Sequence, residues 1–280
     1  MNKCKVLVTG SSGYIGRHVV STLLNMGYDV FASDFQFAGV DERAKRISPV
    51  SYDDVNIYEK LSRPDICIHL AWKDGFKHNS HAHIAELSNH YLFIKNMLDG
   101  GLKHIVMMGT MHEVGYWEGQ IDENTPTKPL TLYGIAKNCL RQSSEILARE
   151  NNAVYQWLRA FYILGDDMKN HSIFTKISQM EADGEPMFPF NTGRNKYDFI
   201  DVDELSKQIA SAAVQEEVTG IINCCSGKPI SLAQKAEEFI TKNNYKIKLN
   251  YGQFPDRSYD SPAVWGDNSK ITNIMNKSGE

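Results

Sequence analysis

The feature that most constrains the fold is a glycine-rich turn near the start of the 280-residue chain. A short apolar run, Lys5–Thr9, leads into the turn Gly10–Gly16, and residues 17–24 then place apolar side chains at helical spacing. A continuous apolar run of this length is typical of a strand buried on both faces of a parallel sheet. The order of strand, glycine turn and helix therefore predicts the first unit of an α/β fold.

The glycines of this turn also indicate a ligand. Gly10 permits a tight turn, Gly13 lets the backbone approach phosphates closely, and Gly16 lets the helix pack on the strand. The amino end of the helix would then face the negative charge of a dinucleotide pyrophosphate. The residues predicted to hold that group are Gly10, Ser12, Gly13, Tyr14, Ile15 and Gly16.

A carboxylate follows the second apolar run of the chain. Asp29–Ser33 ends at Asp34, about 20 residues past the glycine turn, where an acidic side chain accepts hydrogen bonds from the adenosine ribose. The same charge repels a 2′-phosphate, so Asp34 favours NAD (NADH) over NADP. An ordinary turn residue at a strand end is the alternative interpretation.

Further strands alternate with helices. Residues 65–71 and 104–108 are predicted to be buried strands, and between them residues 84–98 have helical periodicity that Gly100-Gly101 closes. This alternation predicts a doubly wound parallel sheet of the Rossmann type, whose ligands bind beyond the carboxyl ends of the strands. Thr110 follows one such end.

The second half of the chain is less regular. Glycines and prolines between residues 166 and 197 predict loops that suit a substrate-binding cap. We therefore predict a dinucleotide-binding domain over 1–165, to which 198–226 returns. Residues 166–197 and 227–280 are predicted to form a smaller, discontinuous substrate-binding lobe.

A phenol and an ammonium lie four residues apart in Tyr133-Gly134-Ile135-Ala136-Lys137. On a helix these positions share one face, and a neighbouring positive charge lowers the pKa of a phenol. Tyr133 could then act as a general acid or base. The spacing alone is weak evidence, because many solvated helix faces carry it by chance.

Composition excludes several classes of function. The net charge is −4 and the basic residues are scattered, so no nucleic-acid partner is expected. No apolar run approaches the ~20 residues that span a bilayer, so no membrane association is expected either. The five cysteines show no Cys-x-x-Cys pair and mostly lie in apolar runs; they are expected to be reduced, buried thiols of a cytoplasmic protein, and no metal site is predicted.

Together these stretches resemble the extended short-chain dehydrogenase/reductases, the NAD-dependent epimerase/dehydratase family that acts on nucleotide sugars. The resemblance covers most of the chain. The family's catalytic Ser/Thr and its Tyr-x-x-x-Lys pair are similar to Thr110, Tyr133 and Lys137. The cofactor contacts that the resemblance implies are Asp34, Asp54 and Val55 at the adenosine, Leu70, Ala71, Trp72 and Asn89 along the cleft, and Tyr133 and Lys137 at the nicotinamide.

By this resemblance the reaction is hydride transfer at a sugar carbon. Tyr133 exchanges a proton with the sugar oxygen, Thr110 orients that oxygen, and Lys137 also binds the nicotinamide ribose. The implied substrate contacts are Thr110, Met111, His112, Tyr162, Arg194 and Arg257.

Departures from the family narrow the chemistry. Related 4,6-dehydratases carry Asp and Glu directly after the catalytic Thr, whereas this chain has Met111 and His112. Dehydration is therefore disfavoured. His112 is a second acid in one interpretation and a hydrogen-bonded loop residue in the other. Tyr162 stands where many members have a substrate-binding Asn, and Tyr197 where the epimerases have a diphosphate-binding Arg. Arg194 or Lys196 supplies that charge in one interpretation, and both are solvated loop residues in the other.

Three functions follow. The first is a nucleotide-sugar 4-ketoreductase that makes a deoxysugar precursor of a surface polysaccharide, and the second is a 4-epimerase that keeps NAD bound. A non-catalytic dinucleotide sensor is the third. Family members often form homodimers through the helix that bears the catalytic Tyr, where Leu140, Ile146 and Leu147 are candidate interface residues or, equally, core residues.

Overall fold

The computed structural model of the chain describes residues 4–165, 172–255 and 261–278. In chain order the strands are β1 Lys5–Thr9, β2 Asp29–Ser33, β3 Lys45–Ile47, β4 Ile66–His69, β5 His104–Thr110, β6 Gly119–Ile121, β7 Val154–Ala160, β8 Tyr162–Leu164, β9 Met187–Pro189, β10 Lys196–Asp201, β11 Gly220–Cys224, β12 Pro229–Ser231, β13 Lys248–Asn250 and β14 Ala263–Gly266. The helices are α1 Gly16–Asn25, α2 Ile57–Lys60, α3 Ala82–Ala85, α4 Leu87–Asp99, α5 Leu132–Glu150, α6 Ile173–Ala182, α7 Val202–Ala213, α8 Leu232–Lys242 and α9 Ser269–Ser278. A 3₁₀ turn, Met111–Glu113, follows β5.

Seven parallel strands form the main sheet, in the order β11-β7-β5-β4-β1-β2-β3. From β1 the chain moves outward to β2 and β3 and then crosses to β4 on the other side of β1. The predicted doubly wound parallel sheet is thus confirmed. Its strand order reverses between β1 and β4, and a crevice at such a reversal is where ligands bind in open α/β sheets.

Helices cover both faces of this sheet. Apolar side chains of α1, α7 and α9 pack on one face, and those of α2, α4 and α5 pack on the other. The inner strands are apolar on both sides because both faces are covered. None of the helices in the described ranges is both long and apolar enough to cross a membrane.

The second lobe has its own sheets and core. A sheet of order β12-β10-β14-β6, with β8 paired to β10, lies beyond β7, and β9 pairs with β13. Phe188, Phe190 and Ile247 form a separate apolar cluster with Ile177 of α6 and Ala236 of α8. The strand predicted to return to the main sheet does so as β11, whereas β10 belongs to the smaller sheet. The domain boundaries themselves stay a prediction.

Two local expectations differ from the structure. The helix predicted over 84–98 is divided at Glu86 into α3 and α4. The cysteines are all unpaired, but only Cys67, Cys224 and Cys225 are buried; Cys4 is half-buried and Cys139 is exposed on α5. Cys139 is exposed because its position on α5 turns away from the sheet.

The structure also distinguishes core residues from possible interface residues on α5. Leu140 and Leu147 are at most 5% exposed and belong to the core between α5 and the sheet, whereas Ile146 is 46% exposed. Only Ile146 of the three is therefore available to a partner.

We predict that Leu147→Ala lowers the free energy of unfolding by about 2–5 kcal/mol, because the vacated space lies inside a packed core. Leu130→Ala is the matched control, because Leu130 is 63% exposed in the loop before α5, and it should change the free energy by less than about 0.5 kcal/mol. Urea unfolding of both variants measures the difference. Equal losses would contradict the placement of Leu147 in the core.

Candidate active site

A cavity of about 780 Å³ opens beyond the carboxyl ends of β1, β2 and β4. It lies at the reversal of strand order, where a dinucleotide is expected. Its lining residues include Thr9, Gly10, Ser12, Gly13, Ser33–Phe35, Pro49–Asp53, Leu70–Lys73, Glu86, Asn89, His90 and Phe93.

The glycine turn forms the floor of this cavity and leaves no room for side chains. Gly10 has φ +66°, and a Cβ there would lie 2.7 Å from the Ala71 backbone. A Cβ on Gly16 would lie 2.2 Å from the Gly10 carbonyl oxygen. The turn therefore packs tightly between β1, β4 and the start of α1, which is the cradle that a pyrophosphate needs.

Asp34 lines the cavity at the end of β2. Its Oδ2 accepts hydrogen bonds from Ser12 N at 2.9 Å and Ser12 Oγ at 2.8 Å, and its Oδ1 accepts one from Phe35 N at 2.8 Å. A carboxylate oxygen has two acceptor positions, so Oδ2 is filled by Ser12 and Oδ1 keeps one position. Asp34 thus holds the glycine turn in place and keeps acceptor capacity for one ribose hydroxyl.

The loop before α2 lines the cavity, but not with Asp54 and Val55, the two residues that the resemblance implies. Asp54 accepts from Asn56 N and pairs with Lys60, and Val55 is 73% exposed. Tyr52 and Asp53 line the cavity in their place. The physical reason is that the Asp54 carboxylate is occupied in starting α2, which turns it away from the cleft.

The remaining predicted cofactor contacts fall into two groups. Leu70, Ala71, Trp72 and Asn89 line the cavity. Tyr14 and Ile15 lie outside the lining: Tyr14 packs near Phe76, and Ile15 packs against the core at the start of α1.

Thr110, Tyr133 and Lys137 come together next to this cavity. Thr110 is the last residue of β5, and its hydroxyl lies near the phenol of Tyr133 on α5. Lys137 follows one turn along α5, and its Nζ donates to the Met108 carbonyl at 2.8 Å. The Lys137 Nζ also lies 3.8 Å from the ring centroid of Trp72, which lines the cavity.

Burial sets the electrostatics of this cluster. Lys137 is 4% exposed, and burial lowers the pKa of its ammonium to about 7, although the Glu113 carboxylate acts in the opposite direction. Burial also raises the pKa of the Tyr133 phenol; Glu113 adds to that shift and the nearby Thr110 hydroxyl opposes it. Without a bound ligand, the phenol is therefore protonated at neutral pH.

Imidazole rings surround the phenol. The His78 ring stacks on the Tyr133 ring with centroids 5.4 Å apart, and His112 lies 4.3 Å from His78. Burial, with a smaller effect of His78, lowers the pKa of His112 to about 4. Burial also lowers the pKa of His78, so the rings of His78 and His112 are both neutral at pH 7.

The other predicted substrate residues lie in different surroundings. Met111 is 6% exposed and packs in an apolar cluster with Phe161, and the ring of Tyr162 is tilted against that of Tyr197 with centroids 4.5 Å apart. Arg194 is exposed in the loop before β10. Arg257 lies outside the described residues. In the described part of the chain, no three His, Cys, Asp or Glu side chains are grouped as metal ligands.

Sequence reasoning missed three neighbours of the site. Glu113, His78 and Tyr52 have no motif of their own, and each reaches the site through the fold. The Tyr133 N–H donates to the His78 carbonyl at 2.9 Å, which docks the loop after β4 onto α5. Only the position of Glu113, three residues after Thr110, carried a signal, because that spacing is typical of a capping box.

The fold and the cluster define a dinucleotide-binding α/β protein with a Thr/Tyr/Lys set at the cleft. A family profile, "NAD dependent epimerase/dehydratase family", matches residues 6–225, and the chain belongs to that family.

The chain is 44% identical to a dTDP-6-deoxy-L-talose 4-dehydrogenase (NAD(+)) of Aggregatibacter actinomycetemcomitans, over 93% of this chain and 98% of that protein. In fold it is similar to the UDP-N-acetylglucosamine 4-epimerase of Methanobrevibacter ruminantium M1, with a TM-score of 0.84, 19% identity, and 98% and 92% of the two chains covered. It is also similar to a UDP-glucuronic acid 4-epimerase of Bacillus cereus in complex with UDP-glucuronic acid and NAD, with a TM-score of 0.79, 20% identity, and 97% and 93% covered.

The buried ammonium gives a pH-dependent prediction. Unfolded, Lys137 binds its proton below pH ~10.4, whereas folded it does so only below about 7. Wild-type stability should therefore rise between those two pH values. Lys137→Met removes the buried charge and should be more stable than wild type by about 1–3 kcal/mol at pH 7.

Urea unfolding of wild type and Lys137→Met at pH 7 and pH 10 measures this effect. The excess stability of the variant should shrink at pH 10, where the wild-type ammonium is no longer charged in the folded state. An equal difference at both pH values would contradict the depressed pKa of Lys137.

Proposed function

We propose that this chain is an NAD-dependent oxidoreductase that interconverts the 4-hydroxyl and the 4-ketone of a nucleotide-linked 6-deoxy sugar, most simply as a 4-ketoreductase. The observation that carries the proposal is the packing of α5, which bears Tyr133 and Lys137, on the end of β5 near Thr110. The Lys137 Nζ donates to the Met108 carbonyl of β5 and lies beside Trp72, which lines the cavity.

The cofactor would be held by residues from three strand ends. The turn Gly10–Gly16 would receive the pyrophosphate, Asp34 the adenosine ribose, and Tyr52 and Asp53 the adenine side of the cavity. Among cofactor contacts, we therefore propose Tyr52 and Asp53 in place of Asp54 and Val55. The Asp34 carboxylate favours NADH, since it would repel a 2′-phosphate.

The nicotinamide supplies or accepts the hydride at the sugar carbon. Tyr133 would donate a proton to the C4 oxygen during reduction and remove it during oxidation. Thr110 would hydrogen-bond the same oxygen. Lys137 would stabilise the phenolate, because an ammonium within a few ångströms favours the ionised phenol.

Two observations limit the reaction to one carbon. Met111 has no titratable group and is buried in an apolar cluster, and His112 is neutral at pH 7. The acid and base that a 4,6-dehydratase needs at these positions are therefore missing. A 4-epimerase would use the same Thr, Tyr and Lys set, so it is the alternative outcome of the assay below.

The substrate class is taken from the relative that acts on a 6-deoxy sugar linked to dTDP. We propose a dTDP-linked 6-deoxyhexose, bound by His112, Tyr162 and Arg194 from the lobe side, and a role in making surface polysaccharide. The five unpaired cysteines suit the reducing cytoplasm, where we place the enzyme.

Purified protein with NADH and a dTDP-4-keto-6-deoxyhexose should oxidise NADH, and should use NADPH much less well. Tyr133→Phe should lower turnover by at least ~10², the scale of general acid–base catalysis, with NADH affinity unchanged. Tyr28→Phe, at the amino end of β2, is the control and should keep full turnover. Isomerisation without net NADH oxidation would identify an epimerase, and a fully active Tyr133→Phe variant would remove Tyr133 from the mechanism.

We also propose a homodimer through the exposed face of α5. Ile135, Cys139 and Ile146 lie on that face at helical spacing, and Ile135 and Ile146 are 43% and 46% exposed. An apolar strip of this kind suits pairing with a second copy.

Ile146→Glu should convert the dimer to a monomer, because it places a charge in the apolar interface. Phe254→Glu is the matched control, since Phe254 is 54% exposed on the other lobe, and it should leave the mass unchanged. Sedimentation at micromolar concentration measures both. A monomeric wild type would rule out the proposed dimer.

A further inference from the structure

We propose that Glu113 is a positioning residue of the active site, whose buried carboxylate fixes the backbone of Thr110 and supports the positive charge of Lys137. The inference rests on the proposed roles of Thr110, Tyr133 and Lys137. Glu113 is 0% exposed and was not singled out by any sequence motif.

The first support is the backbone geometry at the end of β5. Thr110 is extended, with φ −154° and ψ 148°, and the 3₁₀ turn Met111–Glu113 begins directly after it. Glu113 Oε1 accepts the Thr110 N–H at 2.7 Å, while Thr110 Oγ1 accepts the His112 N–H at 3.3 Å. The carboxylate thus fixes the backbone of the residue whose hydroxyl is proposed to act with Tyr133.

The second support is the anchor of that carboxylate. The indole N–H of Trp157 donates to both oxygens, at 2.9 Å to Oε1 and 3.0 Å to Oε2. A Cβ on Gly109 would lie 2.1 Å from Trp157 Nε1 and 2.8 Å from Glu113 Oε1. Glycine at position 109 is what lets the carboxylate and the indole meet beneath the end of β5.

The third support is the arrangement of buried charge. Arg141 and Arg159 lie 3.8 Å and 3.7 Å from Glu113 Oε2, and the Arg159 side chain is fully buried. Lys137 approaches the same stretch of β5, because its Nζ donates to the Met108 carbonyl, one residue before the Gly109 that packs on Glu113 Oε1. The carboxylate and the ammonium therefore meet neighbouring residues at the end of β5.

The pKa shifts agree with this geometry. The Glu113 carboxylate raises the pKa of Lys137 and so opposes the effect of burial. The other ionisable groups near Lys137 in the described residues are Tyr133 on its own helix, His69 at the end of β4 and His90 on α4. Burial is the first cause of the lowered pKa of both histidines, so both are neutral at pH 7 and Glu113 is the carboxylate that acts on Lys137.

The competing interpretation is that Glu113 caps the turn and has a purely structural role. Variants that remove or keep its charge distinguish the two interpretations. Glu113→Gln keeps the shape and an acceptor but removes the charge. Glu113→Asp keeps the charge. Glu145→Gln is the matched control, because Glu145 also lies 3.8 Å from Arg141 but is half-exposed on the outer side of α5.

The measurement is the pH titration of Lys137 by ¹³C NMR in the full chain labelled at the lysine ε-carbon. Lys137→Met assigns the resonance, and the wild-type midpoint is expected at about pH 7. Glu113→Gln should lower the midpoint by about one unit, the smaller end of the effect of a nearby opposite charge. Glu113→Asp should restore most of that shift, and Glu145→Gln should leave the midpoint unchanged.

Turnover is the second readout. Glu113→Gln should lower kcat at least ~10-fold with little change in the KM for NADH, since the cofactor cradle is untouched. Glu145→Gln should keep wild-type kcat. An unchanged Lys137 midpoint in a folded Glu113→Gln protein would overturn the inference, whatever its turnover.

The titration tests the inference independently of the proposed function. The Lys137 midpoint can be measured even if the wild type oxidises no NADH with any 4-keto sugar nucleotide. If Glu113→Gln does not fold, Arg141→Gln decides the question. Removing that guanidinium leaves Glu113 less neutralised, so the Lys137 midpoint should rise by about half a unit. No rise would count against the inference.

Discussion

The close approach of the glycine turn to the end of β4 is the constraint on which the rest of the site depends. Gly10 meets the Ala71 backbone so closely that no side chain fits, and Gly16 meets the Gly10 carbonyl in the same way. These contacts bring the ends of β1 and β4 to one edge of the sheet. The residues after β4, including Trp72, are thereby placed above Lys137 of α5.

A second constraint is the burial of charge at that edge. The ammonium of Lys137 has one carbonyl, one indole face and a nearby carboxylate in place of water. A buried cation without such partners is strongly unfavourable, and even with them its pKa falls. A negative charge brought by a bound ligand would raise that pKa again and favour the ammonium form.

How much of this could be predicted from sequence depends on how local each signal is. The turn Gly10–Gly16, Asp34 and the pair Tyr133 and Lys137 are local patterns, and the sheet brings them to one edge because parallel strands end together. The resemblance points to Asp54 and Val55, whereas Tyr52 and Asp53 line the cavity, because a shift of one or two residues in a loop leaves no periodic trace. Glu113 was missed because its partner Trp157 is 44 residues away along the chain.

The 3₁₀ turn after β5 illustrates how one backbone element can carry different chemistry. Its first two positions, Met111 and His112, offer no ionised acid, and its one carboxylate, Glu113, points into the core toward Trp157 and Arg159. A carboxylate in that direction cannot reach a sugar carbon, but it can hold Thr110 and act on Lys137 through the protein interior. The turn therefore has one acidic residue, which holds Thr110, and lacks the acid and base that elimination of water requires. This arrangement is compatible with the chemistry at a single carbon that we propose for Thr110 and Tyr133.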